Sequence, residues 1–466
     1  MRLKWTILYA LVLLSAGRAN ATGSVTAEAD QLLGIAQLRA ETGLTGKGVK
    51  VAVIGPGITD WQERVASGDL PSDLWLIDDY AGTDYRTLGV IETIHDLAPE
   101  ATLMFGALVN ALGAVPQALA AGADIIVATD DVPFLSVFED EPRNKAFQDA
   151  AQGGTLVIAP AGNFGVGHYR GTFKDAGDNH HDFGSGVTRI PITVPALREP
   201  VINLNWAEDV YTNAFSNYVL RVYTATGEWI GDYGGAGAFA SVAVQYADQT
   251  NDYGLLLSVW REPGAPDLPF DLFVQGWPWP VSADPPQLDA LYQVARGSIA
   301  GIGALPEVFT VGALDQTKVI DVPNNIYAIR DYSSHGPAEV LLASPVNRQK
   351  PDLMAPDCQT GYGGTPWCGA AISAGVVGGV AALLQQKYHF ERTIDMKQQL
   401  TSTADDLGAT GYDYETGYGQ INPRAALTDP LVPVRPVALF VLLVLFVVLF
   451  PHVKPKFFVS DIKQLI

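Results

Sequence analysis

Short apolar runs alternate with helical stretches in the first third of the chain. Strand-like runs cover residues 49–54, 102–108, 125–128 and 155–160, and helical patterns cover residues 86–96 and 143–152. Strands that alternate with helices are typical of a parallel sheet with helices on both faces. The pattern predicts that residues 22–163 form the first part of an α/β domain.

The pattern changes between residues 164 and 296, where β-forming residues alternate or cluster in short runs. These runs cover residues 189–194, 201–206, 218–224, 240–246, 255–260 and 270–274, and Gly, Pro, Asn and Asp separate them. Such spacing is typical of a β-sandwich. We therefore expect an inserted β-sandwich over 164–296, after which the α/β domain resumes over 297–428 with a strong helix at 370–388.

An apolar segment near the amino end has the three-part plan of a cleaved export signal. Residues 1–21 combine a basic start, an apolar run and the small residues Ala19-Asn20-Ala21. The apolar run is shorter than the roughly 17 to 25 residues that span a bilayer, which disfavours a retained helical anchor. The mature chain is expected to start near Thr22, with a lead-in helix over 31–42.

A second apolar segment, residues 437–453, predicts a single transmembrane helix. Lys454, Lys456 and Lys463 follow it, so the positive-inside rule places the tail, 454–466, in the cytoplasm and the folded part outside. A processed sorting tail is the alternative. With the helix retained, the chain is expected to be an exported single-pass protein of a cell membrane, with its domain in the periplasm or outside the cell.

Composition and charge narrow the possible functions. The chain has 466 residues, of which 48% are hydrophobic, and its formal net charge is −21. It can therefore bury a sizeable core, and its surface repels phosphate backbones, which disfavours nucleic-acid binding. The two cysteines, Cys358 and Cys368, can pair in an oxidising exterior. We expect no cofactor and no metal site.

Several segments match known motifs in a fixed order along the chain. Residues 46–54 look like a strand that ends at a catalytic Asp, and residues 154–163 look like a strand that leads to an oxyanion-hole Asn. Residues 332–337 and 350–357 look like two segments that precede a nucleophile, and residues 378–384 look like the helix that follows it. Residues 403–408 and 417–422 look like the end of the domain. Together they resemble the subtilisin-like serine proteases over roughly residues 30–428. The resemblance implies a subtilisin-like α/β fold.

The resemblance places the catalytic triad on three residues that cannot perform its chemistry. The Asp falls on Gly55, the His, or the Glu of related members, on Arg86, and the Ser on Ala371. Glycine orients no imidazole, arginine is always protonated and accepts no proton, and a methyl group attacks nothing. Among the polar catalytic residues only the oxyanion-hole Asn is kept, as Asn163.

Two residues near Ala371 could replace the missing nucleophile. Ser373 lies two residues further along the helix, where the side chain is turned by about 200° from the site. Cys368 precedes Ala371 by three residues, and a thiolate near a helix start can be reactive. A structural bridge between Cys368 and Cys358 is the favoured interpretation.

Several other polar residues have both a functional interpretation and a simpler structural one. Asp60 and His95 could form a relocated pair, but loop and surface roles are favoured; His335 is interpreted as a turn residue. The acidic and histidine-rich run 175–182 suggests a metal loop, but its spacing favours a solvated turn. Asp130-Asp131 is either a ligand contact or an acidic loop, and both interpretations stay open.

Three functions remain under consideration. The main hypothesis is an inactive protease homologue that binds an extended polypeptide or envelope protein by strand addition, or acts as a scaffold. The second is an active serine-type endopeptidase with a relocated nucleophile. The third is glycan binding by the β-sandwich, which carries the tryptophans Trp206, Trp229, Trp260, Trp277 and Trp279. Core packing is the favoured role for these aromatic residues.

Overall fold

The computed structural model describes nine ranges of the chain. These are residues 23–77, 86–130, 136–209, 216–234, 238–244, 250–277, 285–318, 327–342 and 344–429. The predicted export signal (1–21), transmembrane helix (437–453) and tail (454–466) lie outside the described residues. Within the described ranges, no helix has both the length and the apolar character needed to cross a bilayer.

Helices and strands are numbered separately, each in chain order. The helices are α1 Glu28–Leu32, α2 Ile35–Thr42, α3 Trp61–Ser67, α4 Arg86–Leu97, α5 Ala111–Ala120, α6 Lys145–Gln152, α7 Ala370–Tyr388, α8 Thr393–Ser402 and α9 Pro423–Thr428. The strands are β1 Lys50–Gly55, β2 Trp75–Leu76, β3 Thr102–Ala107, β4 Ile125–Ala128, β5 Leu156–Pro160, β6 His168–Thr172, β7 Ile190–Val194, β8 Glu199–Trp206, β9 Tyr218–Thr224, β10 Trp229–Gly234, β11 Phe239–Ala243, β12 Tyr253–Arg261, β13 Pro269–Trp277, β14 Gln287–Leu288, β15 Phe309–Leu314, β16 Ala338–Val340, β17 Val346–Arg348, β18 Leu353–Pro356, β19 Gln359–Gly361 and β20 Thr365–Trp367.

A parallel sheet with the order β18-β15-β5-β4-β1-β3-β2 forms the centre of the α/β part. Its strands are apolar on both faces because helices cover both. Helices α4 and α7 bury side chains such as Ile91 and Val380 on one face, and α5 and α6 bury Val115 and Phe147 on the other. The predicted parallel sheet with helices on both faces is confirmed.

The chain between β5 and β15 forms two antiparallel sheets with the orders β10-β9-β12-β7-β14 and β11-β8-β13-β6. Both sheets contribute to one apolar core, in which Trp206 and Tyr218 stack with ring centroids 5.4 Å apart. These strands lie within the range 164–296 assigned to the insertion. Residues up to Thr428 nevertheless cluster as one compact unit, so the insertion is not a separate body.

The two edges of the parallel sheet are bounded differently. At the β18 edge, residues 418–421 run alongside the strand, because the N–H of Met354 donates to the carbonyl of Gly419 and the N–H of Ile421 donates to the carbonyl of Met354. At the other edge, β2 contains only two residues.

Some predicted elements differ from the observed ones. The lead-in helix expected over 31–42 is two helices, because Gly34 between them has a left-handed φ of 65° that interrupts the helix. Helices α3 and α5 were not expected from the sequence; α5 contains Pro116, which normally breaks a helix interior. The helix predicted over 370–388 has the expected bounds.

Candidate functional site

The first candidate position, Gly55, is the last residue of β1 and lies at the carboxyl end of the parallel sheet. Two threonine hydroxyls fill the space into which a side chain would point. A Cβ atom added to Gly55 would lie 2.2 Å from Oγ1 of Thr87 and 2.4 Å from Oγ1 of Thr129. Thr87, the second residue of α4, is fully buried. A larger residue at position 55 therefore fits only if these threonines move.

The second candidate position, Arg86, is the first residue of α4 and is partly buried. Three residues further along, Gly89 packs tightly against the indole of Trp367, so that an added Cβ atom would lie 2.4 Å from Cγ of the indole. Trp367 ends β20, the strand that leads towards α7. Close packing of Trp367 on Gly89 therefore couples the start of α4 to the segment before α7.

A buried carboxylate, Glu92, strengthens the same contact one turn later. It accepts hydrogen bonds from the N–H of Tyr362 and from Nε1 of Trp367, both at 3.1 Å. It also pairs with Arg64 of α3, whose Nε lies 2.7 Å from Oε1. Burial raises the pKa of Glu92 to about 7, against the lowering effect of these partners. Glu92 therefore titrates near neutral pH while it joins three elements.

The third candidate position, Ala371, is the second residue of α7. The backbone just before it is firmly held: the N–H of Gly369 lies 2.9 Å from Oδ1 of Asp357, and the N–H of Ala370 lies 2.9 Å from Oδ1 of Asn163. Gly369 has a φ of 123°, which favours glycine. The helix start is therefore well ordered, but it presents a methyl group.

Asn163 lies beyond the end of β5 and is 6% exposed. Its bond from Ala370 fixes the amide oxygen, and its amide nitrogen lies on the side of Gly369, 3.4 Å from where a Cβ atom of Gly369 would be. A fixed amide donor at a helix start is the arrangement that stabilises an oxyanion. The geometry is compatible with the role that the resemblance implies for Asn163.

Asp357, which sequence reasoning did not single out, is a fully buried carboxylate beneath the start of α7. Its oxygens accept the N–H of Cys358 at 2.6 Å, the N–H of Gly369 and the hydroxyl of Tyr332. Burial raises the pKa of both Asp357 and Tyr332. An Asp that directly follows a buried strand was the available sequence signal.

Cys358 and Cys368 are joined by a disulfide with an S–S distance of 2.10 Å. The bond closes the hairpin of β19 and β20, which lies between Asp357 and the start of α7. Both cysteines of the chain are used in it. With the bond formed, Cys368 offers no thiolate to the position of Ala371.

Comparison with known proteins identifies a family model and a solved structure to which this chain is similar. Residues 276–419 match the Peptidase_S8 model, described as the Subtilase family. Among solved structures, the CspB protease of Clostridium perfringens has a TM-score of 0.50 and 12% identity, with 87% of this chain and 98% of that chain covered. The fold is subtilisin-like.

Two curated relatives match shorter stretches of this chain. The extracellular serine protease of Serratia marcescens is 32% identical over 99 residues, which cover 21% of this chain and 9% of that protein. The autotransporter lipoprotein NalP of Neisseria meningitidis is 39% identical over 62 residues, which cover 13% of this chain and 6% of that protein. The matches therefore span less than a tenth of the length of these relatives.

Ser373 is enclosed in the protein interior. It is fully buried in the first turns of α7, and its hydroxyl lies 3.4 Å from the carbonyl of Pro356. The burial agrees with the rotation expected for a residue two positions past Ala371. The structure therefore gives Ser373 a packing position.

Asp60 and His95 differ in burial and are distant in the chain. Asp60 is exposed at the start of α3, with a left-handed φ of 63°. The expectation that His95 is a surface residue is wrong, because the last turn of α4 lies beneath the loop around Gly68 and His95 is only 7% exposed. Burial lowers the pKa of His95. Among the described residues, no hydrogen bond or ion pair links Asp60 to His95.

His335 lies in a loop of the second part of the subtilisin-like domain. Its backbone N–H donates to the hydroxyl of Ser298 at 3.0 Å, and its Nδ1 lies 3.8 Å from a carboxylate oxygen of Glu415. Burial lowers the pKa of His335. These contacts hold the loop and are compatible with a turn residue.

The acidic run 175–182 folds its polar groups back on its own loop. Oδ1 of Asp175 accepts the N–H groups of Gly177 and Asn179, at 2.8 and 2.9 Å. His181 is buried against Tyr169, and burial lowers its pKa to about 4. Over the described ranges, no three His, Cys, Asp or Glu side chains are grouped so as to hold a metal ion.

Asp130 lies beyond the end of β4 and lines a cavity of about 80 Å³. Leu108, Phe147, Glu141 and Arg143 form other parts of its wall. The wall thus combines apolar and charged side chains. The neighbouring Asp131, the other half of the predicted acidic pair, lies outside the described residues.

The tryptophans of the antiparallel sheets differ in how far they are buried. Trp206 is fully buried, and Trp260 is partly covered by the guanidinium of Arg221, which lies 4.7 Å from its ring centre. Trp229 is 64% exposed and donates from Nε1 to Asp232. Trp279 and the side chain of Trp277 lie outside the described residues. Trp206 therefore has the core role expected of it, and Trp229 is open to solvent.

Proposed function

We propose that this chain is a catalytically inactive subtilisin-like protease homologue that binds an extended polypeptide or serves as a scaffold outside the cytoplasm. The observation that carries the proposal is the set of residues at the three triad positions. Gly55, Arg86 and Ala371 provide neither a carboxylate, nor a proton acceptor, nor a nucleophile.

The packing around Gly55 adds a structural observation to this proposal. Thr87 belongs to α4 and Thr129 follows β4, and both hydroxyls lie where a side chain of residue 55 would be. With both hydroxyls in these positions, position 55 accommodates glycine and no larger residue. A single substitution at this position would therefore not recover an aspartate in a usable orientation.

The proposal of a polypeptide partner rests on features beyond the carboxyl ends of the strands. Asn163 follows β5 and bonds to the start of α7, and Asp130 follows β4 and lines a cavity. Residues 418–421 already run along β18, so strand addition at that edge is blocked, and we propose that a bound peptide lies across the carboxyl ends of the strands. An extended polypeptide or an envelope protein is the partner class that we propose.

Export and membrane attachment also remain proposals. They rest on the signal-like residues 1–21 and the apolar residues 437–453. The names of the relatives, an extracellular serine protease and an autotransporter lipoprotein, favour a location outside the cytoplasm. We propose a single-pass cell-membrane protein with its folded part in the periplasm or outside the cell.

The alternative function is an active endopeptidase with a relocated nucleophile. The relatives named as proteases favour it. The burial of Ser373 and the disulfide of Cys368 weigh against it.

The deciding experiment is cleavage of a broad fluorogenic peptide library by the chain through residue 429. We expect the natural sequence to be silent. A rebuilt variant carries Gly55→Asp, Arg86→His and Ala371→Ser, with Thr87→Ala and Thr129→Ala to make room for the new carboxylate. We expect the rebuilt variant to cleave at least about a hundredfold faster than the natural sequence, because a working triad accelerates acyl transfer far more than this.

The matched control for the rebuilt variant carries the same substitutions but keeps Ala371. It should be as silent as the natural sequence, because it lacks only the nucleophile. Cleavage by the natural sequence would overturn the proposal of inactivity. Ser373→Ala and Cys368→Ala would then test the two relocated nucleophiles.

A further inference from the structure

The first described residues of the chain, 23–30, form a segment that we call the strap. Side chains, rather than a neighbouring strand, accept its backbone N–H groups. The N–H groups of Ser24 and Val25 bond to Oδ1 of Asp69, at 2.8 and 3.1 Å. The N–H of Ala27 bonds to Oδ2 of Asp96, and the N–H of Ala29 to Oε1 of Gln359, both at 2.7 Å.

The three acceptors come from separate elements and are all buried. Asp69 follows α3, Asp96 belongs to α4 and Gln359 begins β19; their exposures are 3%, 4% and 1%. A buried carboxylate is costly unless hydrogen bonds satisfy its oxygens. Each of the three side chains accepts at least one backbone N–H of the strap, so the three together form a row that is complementary to a peptide backbone.

The shape of the site also selects the residues that lie in it. Ala27 and Ala29 are buried at 2% and 0% exposure, where larger side chains would need new space. A Cβ atom at Gly23 would lie 2.3 Å from Oδ1 of Asp69, which excludes other residues there. Small residues thus let the backbone approach its acceptors closely.

The strap in turn holds the hairpin that leads to α7. The carboxylate of Glu28 accepts the backbone N–H of Thr360 at 2.7 Å and also bonds to its hydroxyl. Thr360 belongs to β19, whose hairpin is closed by the disulfide before Ala371. The strap is also bonded to Asp96 of α4, so it links α4 to this hairpin.

The strap has little structure that would persist without these acceptors. Its helix, α1, has only five residues and no side-chain cap at its amino end. Helices this short are unstable alone in water. Its order therefore depends on the row of acceptors in the body of the protein.

We propose that Asp69, Asp96 and Gln359 form a peptide-acceptor site that is filled by the strap of the same chain, and that the strap exchanges with a free peptide of its own sequence once it is cut from the body. The site recognises a backbone with small residues at the positions of Gly23, Ala27 and Ala29. It is separate from the cleft at Ala371 and does not depend on whether the protein cleaves peptides.

The test uses the full chain, folded first and then cut. A recognition sequence for a specific protease is inserted after Gly43, which is exposed at the end of α2. A fluorescent peptide with the sequence of residues 23–43 is then added, and its incorporation is followed by anisotropy. We expect the cut segment to stay bound and to be replaced slowly by the peptide.

Asp69→Asn is expected to speed this exchange at least about tenfold, because it weakens charge-assisted bonds to two N–H groups. Asp73→Asn is the matched control: Asp73 is an exposed acid four residues away, and its substitution should change the rate less than twofold. Immediate loss of the segment from the cut natural chain, or equal rates in the two variants, would overturn the proposal.

Hydrogen exchange in the uncut chain keeps the test valid if a variant folds poorly after cutting. We expect slow exchange at the amides of Ser24, Val25, Ala27 and Ala29 in the natural chain. Asp69→Asn should speed exchange at the first two and leave Ala27 and Ala29 slow. Rapid exchange at all four amides in the natural chain would also contradict the proposal.

Discussion

The start of α7 and the end of β1 differ in how they are built. At the start of α7, Asp357 and Asn163 hold successive backbone N–H groups, so the helix begins in a fixed place. At the end of β1, the hydroxyls of Thr87 and Thr129 occupy the space beside Gly55. We call the start of α7 the ordered side of the candidate site and the end of β1 its filled side.

On the proposed assignment of the triad positions, the difference teaches that a restored side chain would meet different surroundings. A serine at position 371 would add one oxygen to the start of α7. An aspartate at position 55 would meet the hydroxyls of Thr87 and Thr129 in a close-packed interior. We therefore expect the first position to be restored by one substitution, and the second only by several.

Asp357→Ala tests the ordered side and should have the largest effect. It leaves the N–H groups of Gly369 and Cys358 and the hydroxyl of Tyr332 without their buried acceptor, so we expect a loss of about 3–5 kcal/mol in the free energy of unfolding. Urea unfolding measures it. Asp149→Ala, at an exposed ion pair on α6, is the control and should cost less than about 1 kcal/mol. Equal losses would refute the assigned role of Asp357.

Glu92 joins α4 to the hairpin before α7, and its pKa predicts how the free energy of unfolding depends on pH. The folded pKa of about 7 lies above the ordinary value of 4.5. Between these values the folded protein holds a proton that the unfolded chain has lost, so stability should fall as pH rises from 4.5 to 7, by up to about 3 kcal/mol.

The measurement is the free energy of unfolding of the natural chain and of Glu92→Gln at several pH values. The variant has no proton to lose, so the difference between the two curves should change over this interval and level off above pH 7. A difference that stays constant with pH would show that Glu92 does not titrate there.

Gly55→Ala tests the filled side. The new methyl group would overlap with Thr87 and Thr129, and overpacking of this kind costs about 1–3 kcal/mol. Adding Thr87→Ala should recover part of the loss. A double-mutant cycle of the two substitutions measures the coupling, and additive effects would mean that the two residues do not compete for space.

Asn163→Ala should have the smallest effect of the four substitutions on stability. It removes the acceptor for the N–H of Ala370 at the first position of α7, and loss of a helix cap costs about 1 kcal/mol. Thermal unfolding measures the loss. A cost as large as that of Asp357→Ala would mean that both residues carry the start of α7 equally.

Much of the α/β part was predictable because its signals are local. Buried parallel strands are apolar on both faces, and the helix at 370–388 is long and strongly apolar. Helix α3 was missed because it has only seven residues, none of them buried, and Gly34 splits a helix that periodicity alone joined. Local patterns therefore predicted the sheet and its main helices, but not the short elements.

The candidate site was predictable only in part. The family resemblance assigned the triad positions to Gly55, Arg86 and Ala371, and this assignment stays a prediction. The filling of the space beside Gly55 depends on Thr129, which is distant in the chain. The role of Asp357 likewise depends on Tyr332 and Gly369, which only folding brings together. Contacts between distant segments, which no local pattern records, decide both features.

The residues that run beside β18 also bear on solubility. An open strand edge invites pairing with a second molecule and is a common origin of aggregation. In this protein the carbonyl of Gly419 and the N–H of Ile421 already satisfy Met354 of β18. With only two residues in β2 at the opposite end, the parallel sheet offers little template for intermolecular growth. Truncation before Gly419 is therefore expected to make an otherwise folded chain prone to self-association.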